Sequence, residues 1–279
     1  MKEAFQNLKK QICSLNKPVN TANLKVESVV GNCVVVLMAG GESSRFKEVA
    51  GDKNVNKNSF KLPNGDSMIE MTIRMYRDAG FKDFVVLIYH QAESIMELLG
   101  DGSGLGVSVK YSRDPELPSG KGGAVKNAIE NGSIPAGKYF IIHNPDDVIF
   151  DYSGCFPIDI LTGHLAGERA GAIATVVVVE ETPFAFTGMR ITNNMVEQIE
   201  MYPMIPVPTH IGVSIFSPAS ADYFKKVFEY GKKADFEKVL FPMLSKEKKL
   251  YAVSIPHGSW LAINNAKAYK QLLDKLQII

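Results

Sequence analysis

Apolar and polar positions along this chain follow two periods, and the place where one gives way to the other divides it. Up to residue 179, short continuous apolar runs alternate with stretches of helical spacing. CVVVLM at 33–38, FVVLIY at 84–89, residues 107–111, YFIIH at 139–143 and residues 172–179 predict strands, most of them buried on both faces. Between them, Met68, Ile69, Ile73, Met75 and Tyr76 form the inner face of a helix that Ser67 caps and Gly80 ends. Further helical stretches fall at 92–99, after Gly123 with Val125, Ala128 and Ile129 inside, and at 158–166. This alternation predicts an α/β fold with a parallel sheet. After Glu180 the pattern changes. Short strands at 188–192, 195–200 and 211–216, separated by Asn193-Asn194 and MYPMIPVP, predict a small β-rich insertion over about 181–216. Helices at 219–230 and 236–244, a strand at 250–255 and a helix at 266–276 complete the chain. Phe5, Leu8, Ile12 and Leu15 fall at helical spacing, which predicts an amphipathic helix in an N-terminal extension, residues 1–30, ahead of one domain over 31–279.

Bulk composition narrows the partners more than the fold. The 279 residues are 22% charged and 46% hydrophobic with a formal net charge of +1, the balance of a globular domain. That charge gives no support to a polyanion or a membrane surface as partner, and no apolar run is long enough to span a bilayer. Cys13, Cys33 and Cys155 are odd in number and widely spaced, which fits no metal pattern or disulfide framework and suggests a reducing, cytoplasmic setting.

The candidate chemistry sits where strands end. The first strand runs into Ala39-Gly40-Gly41-Glu42-Ser43-Ser44-Arg45. Glycines let the backbone turn sharply and approach a ligand, successive N–H groups can converge on phosphate, and Arg45 adds a permanently charged fork. An ordinary strand-to-loop turn is the alternative. Residues 47–58 are polar and lysine-rich and predict a mobile loop. Gly120, Gly122 and Gly123 precede a helix whose free N–H groups would face an anion or a base edge. The strand at 139–143 ends in Asn144-Pro145-Asp146-Asp147. Adjacent carboxylates at a strand end are costly unless a cation shares them, and oxygen ligands of this kind suit Mg²⁺ completed by substrate phosphates. A turn of solvated acids is the competing reading. Trp260 is expected as a core or pocket-wall aromatic.

Taken in order, these stretches resemble the sugar-phosphate nucleotidyltransferase superfamily over roughly residues 32–276. MAGGESSRF resembles the opening LAGGxSxR signature, in the form common among molybdenum-cofactor guanylyltransferases. KNSFKLPNGDSMIE resembles PKxLLPVxGKPMIE, with Lys57 at the signature lysine, Asn56 in place of the usual proline, and Lys61 as a rival if the loop is gapped. GKGGAV resembles the GTAGA segment beside the base, and Asn144-Pro145-Asp146 the NGD motif whose aspartate binds Mg²⁺, with Asp147 as the near alternative. FTGMRITNNMVEQIEMYP resembles YGxVxxDxxGxVxxxxEKP: Gly188 and Glu200 match, while Met201 and Tyr202 stand where the lysine falls. IGVSIFSP resembles a segment lining the sugar pocket and contains Gly212. In GSWLAINNA the usual WxDIG aspartate is Ala262, and AINN instead resembles the GVNN of uridylyltransferases acting on N-acetylglucosamine 1-phosphate, which makes Asn264 the second metal-ligand candidate.

The resemblance implies a Rossmann-like nucleotidyltransferase fold, a mainly parallel mixed sheet with helices on both faces and a small β-rich insertion. It implies an enzyme joining an NTP, with a lean towards UTP, to a sugar 1-phosphate with release of pyrophosphate. It further implies that Ala39, Gly40, Gly41, Glu42, Ser43, Ser44, Gly120, Gly122 and Gly123 bind nucleotide and that Arg45 and Lys57 stabilise the leaving group. Asp146 and Asn264 would hold Mg²⁺, and Gly188, Glu200 and Gly212 would contact the sugar. Nucleic acid and membrane are not expected as partners, and homo-oligomerisation is left open. A nucleotide-sugar-binding regulatory protein that has lost catalysis, or a cytidylyl- or guanylyltransferase with a non-sugar acceptor, are the competing classes.

Overall fold

A seven-stranded sheet carries the fold, in the order β12-β6-β11-β4-β1-β2-β3. These are β1 (Cys33–Met38), β2 (Asp83–Ile88), β3 (Ser108–Arg113), β4 (Tyr139–His143), β6 (Ala174–Val179), β11 (Thr209–Phe216) and β12 (Leu250–Ile255). The computed structural model describes residues 2–15, 26–42, 46, 49, 55–114 and 119–277. Strand β1 lies parallel between β2 and β4, with Val36 opposite Val85 and Ile142. Strand β11 runs antiparallel to both β4 and β6, and β12 is again parallel to β6. The sheet is therefore mixed and mostly parallel. β11 belongs to its centre rather than to the insertion, where the short strand at 211–216 was expected. Local apolar pattern cannot tell a strand of a hairpin from a strand that returns to the main sheet.

Alternate β1 side chains feed two cores. Val35 and Leu37 pack with α3 (Met68–Asp78), α4 (Ala92–Leu99) and α6 (Phe156–Arg169), joined by α2 (Val26–Val30). Val34 and Val36 pack with α5 (Gly120–Glu130), α7 (Ser220–Val227) and α8 (Phe236–Lys246). Burial on both faces is why β1 reads as a continuous apolar run. A third core joins Phe46, Leu62, Val148 and Ile263 to α9 (Ala266–Lys275). There β5 (Asp147–Ile149) pairs antiparallel with β13 (Trp260–Ala262), a ribbon too short to leave a periodic signal.

Helix starts follow their capping chemistry. The Ser67 hydroxyl accepts from Glu70 N–H and donates to the Glu70 carboxylate at 2.6 Å, and Asn265 Oδ1 accepts from Ala268 N–H at 2.9 Å. Helix α5 begins at Gly120, so Gly122 and Gly123 lie inside its first turns and are buried. A Cβ on Gly122 would enter the Phe228 ring, and one on Gly123 would meet the Ser119 side chain. These glycines let α5 pack closely, and Gly122 and Gly123 lie within the helix instead of preceding it as expected. The insertion comprises β7 (Thr182–Pro183), β8 (Thr187–Thr192), β9 (Met195–Met201) and β10 (Met204–Ile205), with β8–β9 as a two-stranded hairpin. Helix α1 (Lys2–Ile12) lies beside the start of this insertion, where Lys9 pairs with Glu180 at 2.8 Å. Among the described residues no helix is long and apolar enough to cross a membrane.

Candidate active site

Strands β1, β2, β3 and β4 run in one direction, so their carboxyl ends open on one edge of the sheet, the usual ligand crevice of such folds. A cavity of about 560 Å³ lies there. The loop after β1 forms one wall through Gly40, Gly41 and Glu42. Ala39 N–H donates to Leu87 O at 2.9 Å, and a Cβ on Gly40 would stand 3.2 Å from Tyr89 Cβ, so this turn is pressed against the end of β2. Ala39 itself is fully buried beneath the wall. Ser43, Ser44 and Arg45 lie outside the described residues.

Asn56 places the opposite wall. It is completely buried and sits where the resembled motif has proline. Its Nδ2 donates to Ala39 O at 2.9 Å and His90 O at 3.0 Å, and its backbone N–H donates to Ser94 Oγ at 3.0 Å. Its Oδ1 accepts from Asn58 N–H, capping a short 3-10 turn at Lys57–Ser59. The end of the predicted mobile loop is thus tied to β1 and β2. Lys57 leaves this turn into the cavity, forms an ion pair with Asp146 and donates to Ile263 O at 3.2 Å. Its side chain is 13% exposed and that of Asp146 is 21% exposed, so both charges are largely withdrawn from water. Lys61 is held by Glu70 at 2.7 Å and does not line the cavity.

The β5–β13 ribbon joins the two distant motifs. Ile263 N–H donates to Asp146 O at 2.7 Å and Ala262 pairs with Asp147, which brings Asp146 and Asn264 to the same cavity. Asp147 Oδ2 accepts from Asn144 Nδ2 and Oδ1 accepts from Trp260 Nε1, each at 3.0 Å. Burial and then the charge of Asp146 push the Asp147 carboxyl up to about 7. Trp260 does not line the cavity; it packs half-buried against the core and orients this acid. Below it, the carbonyl of Asp147 can only accept, so His143 Nε2 donates to it at 2.9 Å and Nδ1 accepts from Tyr76 at 3.0 Å. Burial holds that imidazole down at about 4, in its neutral form.

Gly212 has φ +73, and a Cβ there would coincide with the Asp147 carboxylate and Asn144 Nδ2. It supports the wall by close packing and does not line the cavity. Gly188 and Glu200 face each other across the β8–β9 hairpin, outside the cavity lining. Of the second glycine segment only Gly120, with Lys121 and Ala124, reaches the cavity. Residues passed over in the sequence also line it: Tyr89, Asp114, Lys233 and Asp235. Asp114 follows β3, its Oδ1 is buried with no hydrogen-bond partner among the described residues, and burial pushes its carboxyl up to about 6. A single acid at a strand end beside a glycine-rich segment was the only available signal. Among the described residues no three acidic, imidazole or thiol groups converge as a metal cage. Asp146 and Asn264 both line the cavity, and a carboxylate with an amide oxygen is a donor set that fits a cation completed by phosphates.

The sequence pattern of the family described as "Nucleotidyl transferase" matches residues 34–277. The chain belongs to that family. It is 27% identical over 239 residues to a mannose-1-phosphate guanyltransferase of Saccharomyces cerevisiae, covering 84% of this chain and 62% of that protein. It is 26% identical over 219 residues to a UTP–glucose-1-phosphate uridylyltransferase of Synechocystis, covering 74% and 54%. The chain spans about half the length of relatives of this kind, 54% in the rice protein that matches it. A Bacillus anthracis structure in complex with sucrose superposes with a TM-score of 0.64 at 16% identity, covering 86% of this chain and 93% of that one. That likeness establishes the Rossmann-like α/β fold expected of the family.

Proposed function

We propose that this nucleotidyl transferase joins an NTP to a sugar 1-phosphate. A phosphate oxygen of the sugar phosphate attacks the α-phosphorus of the NTP, the bond from that phosphorus to the bridging oxygen breaks, and its electron pair leaves on pyrophosphate. Such a displacement asks the protein for position and charge more than for covalent chemistry. The observation that carries the reading is the meeting of Lys57, Asp146 and Asn264, far apart in sequence, opposite the Gly40-Gly41 turn in one cavity.

Gly40 and Gly41 line the cavity where the family motif binds the triphosphate, and the motif assigns Ser43 and Ser44 to the same phosphates. Lys57 stands ready to leave Asp146 for the departing pyrophosphate, and Arg45 is assigned the same task by resemblance. Asp146 and Asn264 would hold Mg²⁺, which neutralises phosphate charge when bound. Asn144 and Trp260 fix Asp147 beside that site. Gly188 and Glu200 are assigned to the sugar by resemblance alone.

The base is read from Asp114. An ionised carboxylate only accepts, and Asp114 lines the cavity, which suits a base edge with adjacent donors. Guanine offers two, on N1 and the exocyclic amine; uracil offers one, flanked by carbonyls. This favours GTP over the UTP suggested by the Asn-Asn ending.

Pyrophosphate release from a panel of NTPs and sugar 1-phosphates, with Mg²⁺, tests the reading. Asp146→Ala is expected to lose on the order of 10²-fold or more in kcat while keeping its fold. Full activity in that variant refutes the assignment. Tight nucleotide binding by the wild-type protein without pyrophosphate release with any pair favours the regulatory reading, which the altered Met201-Tyr202 and Ala262 positions also admit.

A further inference from the structure

The β8–β9 hairpin has one apolar face, and nothing among the described residues covers it. Its cross-strand pairs are Thr187 with Met201, Met189 with Ile199, and, beyond an irregularity, Ile191 with Val196. Side chains of directly opposed residues share a face. Met189, Ile191, Val196, Ile199 and Met201 therefore form one row, and they are 51%, 58%, 48%, 62% and 61% exposed. The other face carries Arg190, Thr192, Gln198 and Glu200 besides Met195, and Arg190 is already paired with Glu197 at 2.8 Å. Such an amphipathic ribbon is marginally stable in water unless its apolar face is packed.

We propose that a second copy of this chain covers that face, through an isologous contact in which two hairpins stack face to face. Three observations select this occupant. The first is area. The five side chains of the row expose roughly 500 Å² of apolar surface, at somewhat over half of the ~200 Å² each large side chain can bury. That stands at the upper end of the patches on an ordinary monomer, and two such rows face to face would bury about 1,000 Å² in all, the size a specific interface needs. The second is charge. The row carries no charged side chain, its flanking ion pair is satisfied internally, and a net charge of +1 sets up little repulsion between copies. The third is symmetry. The Met189–Ile199 pair lies in the middle of the row, so a two-fold axis there sets each copy's row against the same row of the other, with the polar faces left in water.

Sedimentation velocity of the full chain, from sub-micromolar to high-micromolar concentration, tests this. A reversible species of twice the chain mass is expected. Met189→Lys combined with Ile199→Lys is expected to weaken dimerisation by about 100-fold or more, with circular dichroism and thermal midpoint retained. Should that variant misfold, Ile199→Cys in a Cys155→Ser background decides: a short bismaleimide is expected to link it into dimers, while Cys155→Ser alone stays unlinked. A monomer at every concentration, a dimer indifferent to the lysines, open-ended assemblies, or no cross-link at position 199 each overturns the proposal.

Discussion

Gly212→Ala isolates the packing beneath the cavity. The residue has φ +73, where a Cβ costs about 1–2 kcal/mol by itself. The added carbon also occupies the place of the Asp147 carboxylate, which must swing away from Asn144 Nδ2 and Trp260 Nε1. Hydrogen bonds to a charged group contribute about 1.5–3 kcal/mol each, and relaxation recovers part of them. With one of the two lost, the substitution is expected to cost about 2.5–5 kcal/mol, the sum of both terms. With a urea dependence near 3 kcal/mol per molar, the unfolding midpoint should fall by roughly 1 M or more. A double-mutant cycle separates the terms. In an Asp147→Ala background the carboxylate clash is gone and only Asn144 Nδ2, freed from its bond to that carboxylate, must still shift, so the loss should fall towards the backbone cost of about 1–2 kcal/mol. A loss below about 1 kcal/mol for Gly212→Ala alone would refute the reasoning, as would equal losses in both backgrounds.

Further expectations concern other parts of the frame. Gly122→Ala forces a Cβ into the Phe228 ring and should lower stability by about 1–3 kcal/mol in the same urea assay. Asn56→Pro keeps a compatible φ of −66 but loses the bonds to Ala39 O, His90 O and Ser94 Oγ; it should lower both the unfolding midpoint and pyrophosphate release, because the base of Lys57 is released. His143 and His164 are each buried and held down at about 4, below the ordinary 6.5. Their contribution is complete above pH 6.5 and is lost as pH falls towards 4, about 3 kcal/mol each at most. Chemical denaturation across that range checks it, and His164→Gln should flatten the slope. His164 Nε2 donates to Ser217 Oγ at 3.1 Å, since that hydroxyl is committed to Glu168, and Nδ1 accepts from Thr175 at 2.8 Å.

How much could be read without coordinates follows from the range of each interaction. Runs such as CVVVLM and caps such as Ser67 and Asn265 act within a few residues, so β1, α3 and α9 were legible from pattern alone. The order of motifs also placed the cavity at the strand ends. The motif register puts Lys57 at the signature lysine with Lys61 as a rival. That Lys57 lines the cavity and Lys61 does not follows from the ties of Asn56 to Ala39 and His90, and Asp146 and Asn264 reach one cavity through the pairing of β5 with β13. The burial of Asp114 Oδ1 without a partner among the described residues, and the close packing of Gly122 on Phe228, depend on what neighbouring elements leave open. Local sequence determines period, caps and turns because those energies are settled within one element. Burial, register between strands more than a hundred residues apart and the raised carboxyl of Asp147 arise only when distant elements exclude water together.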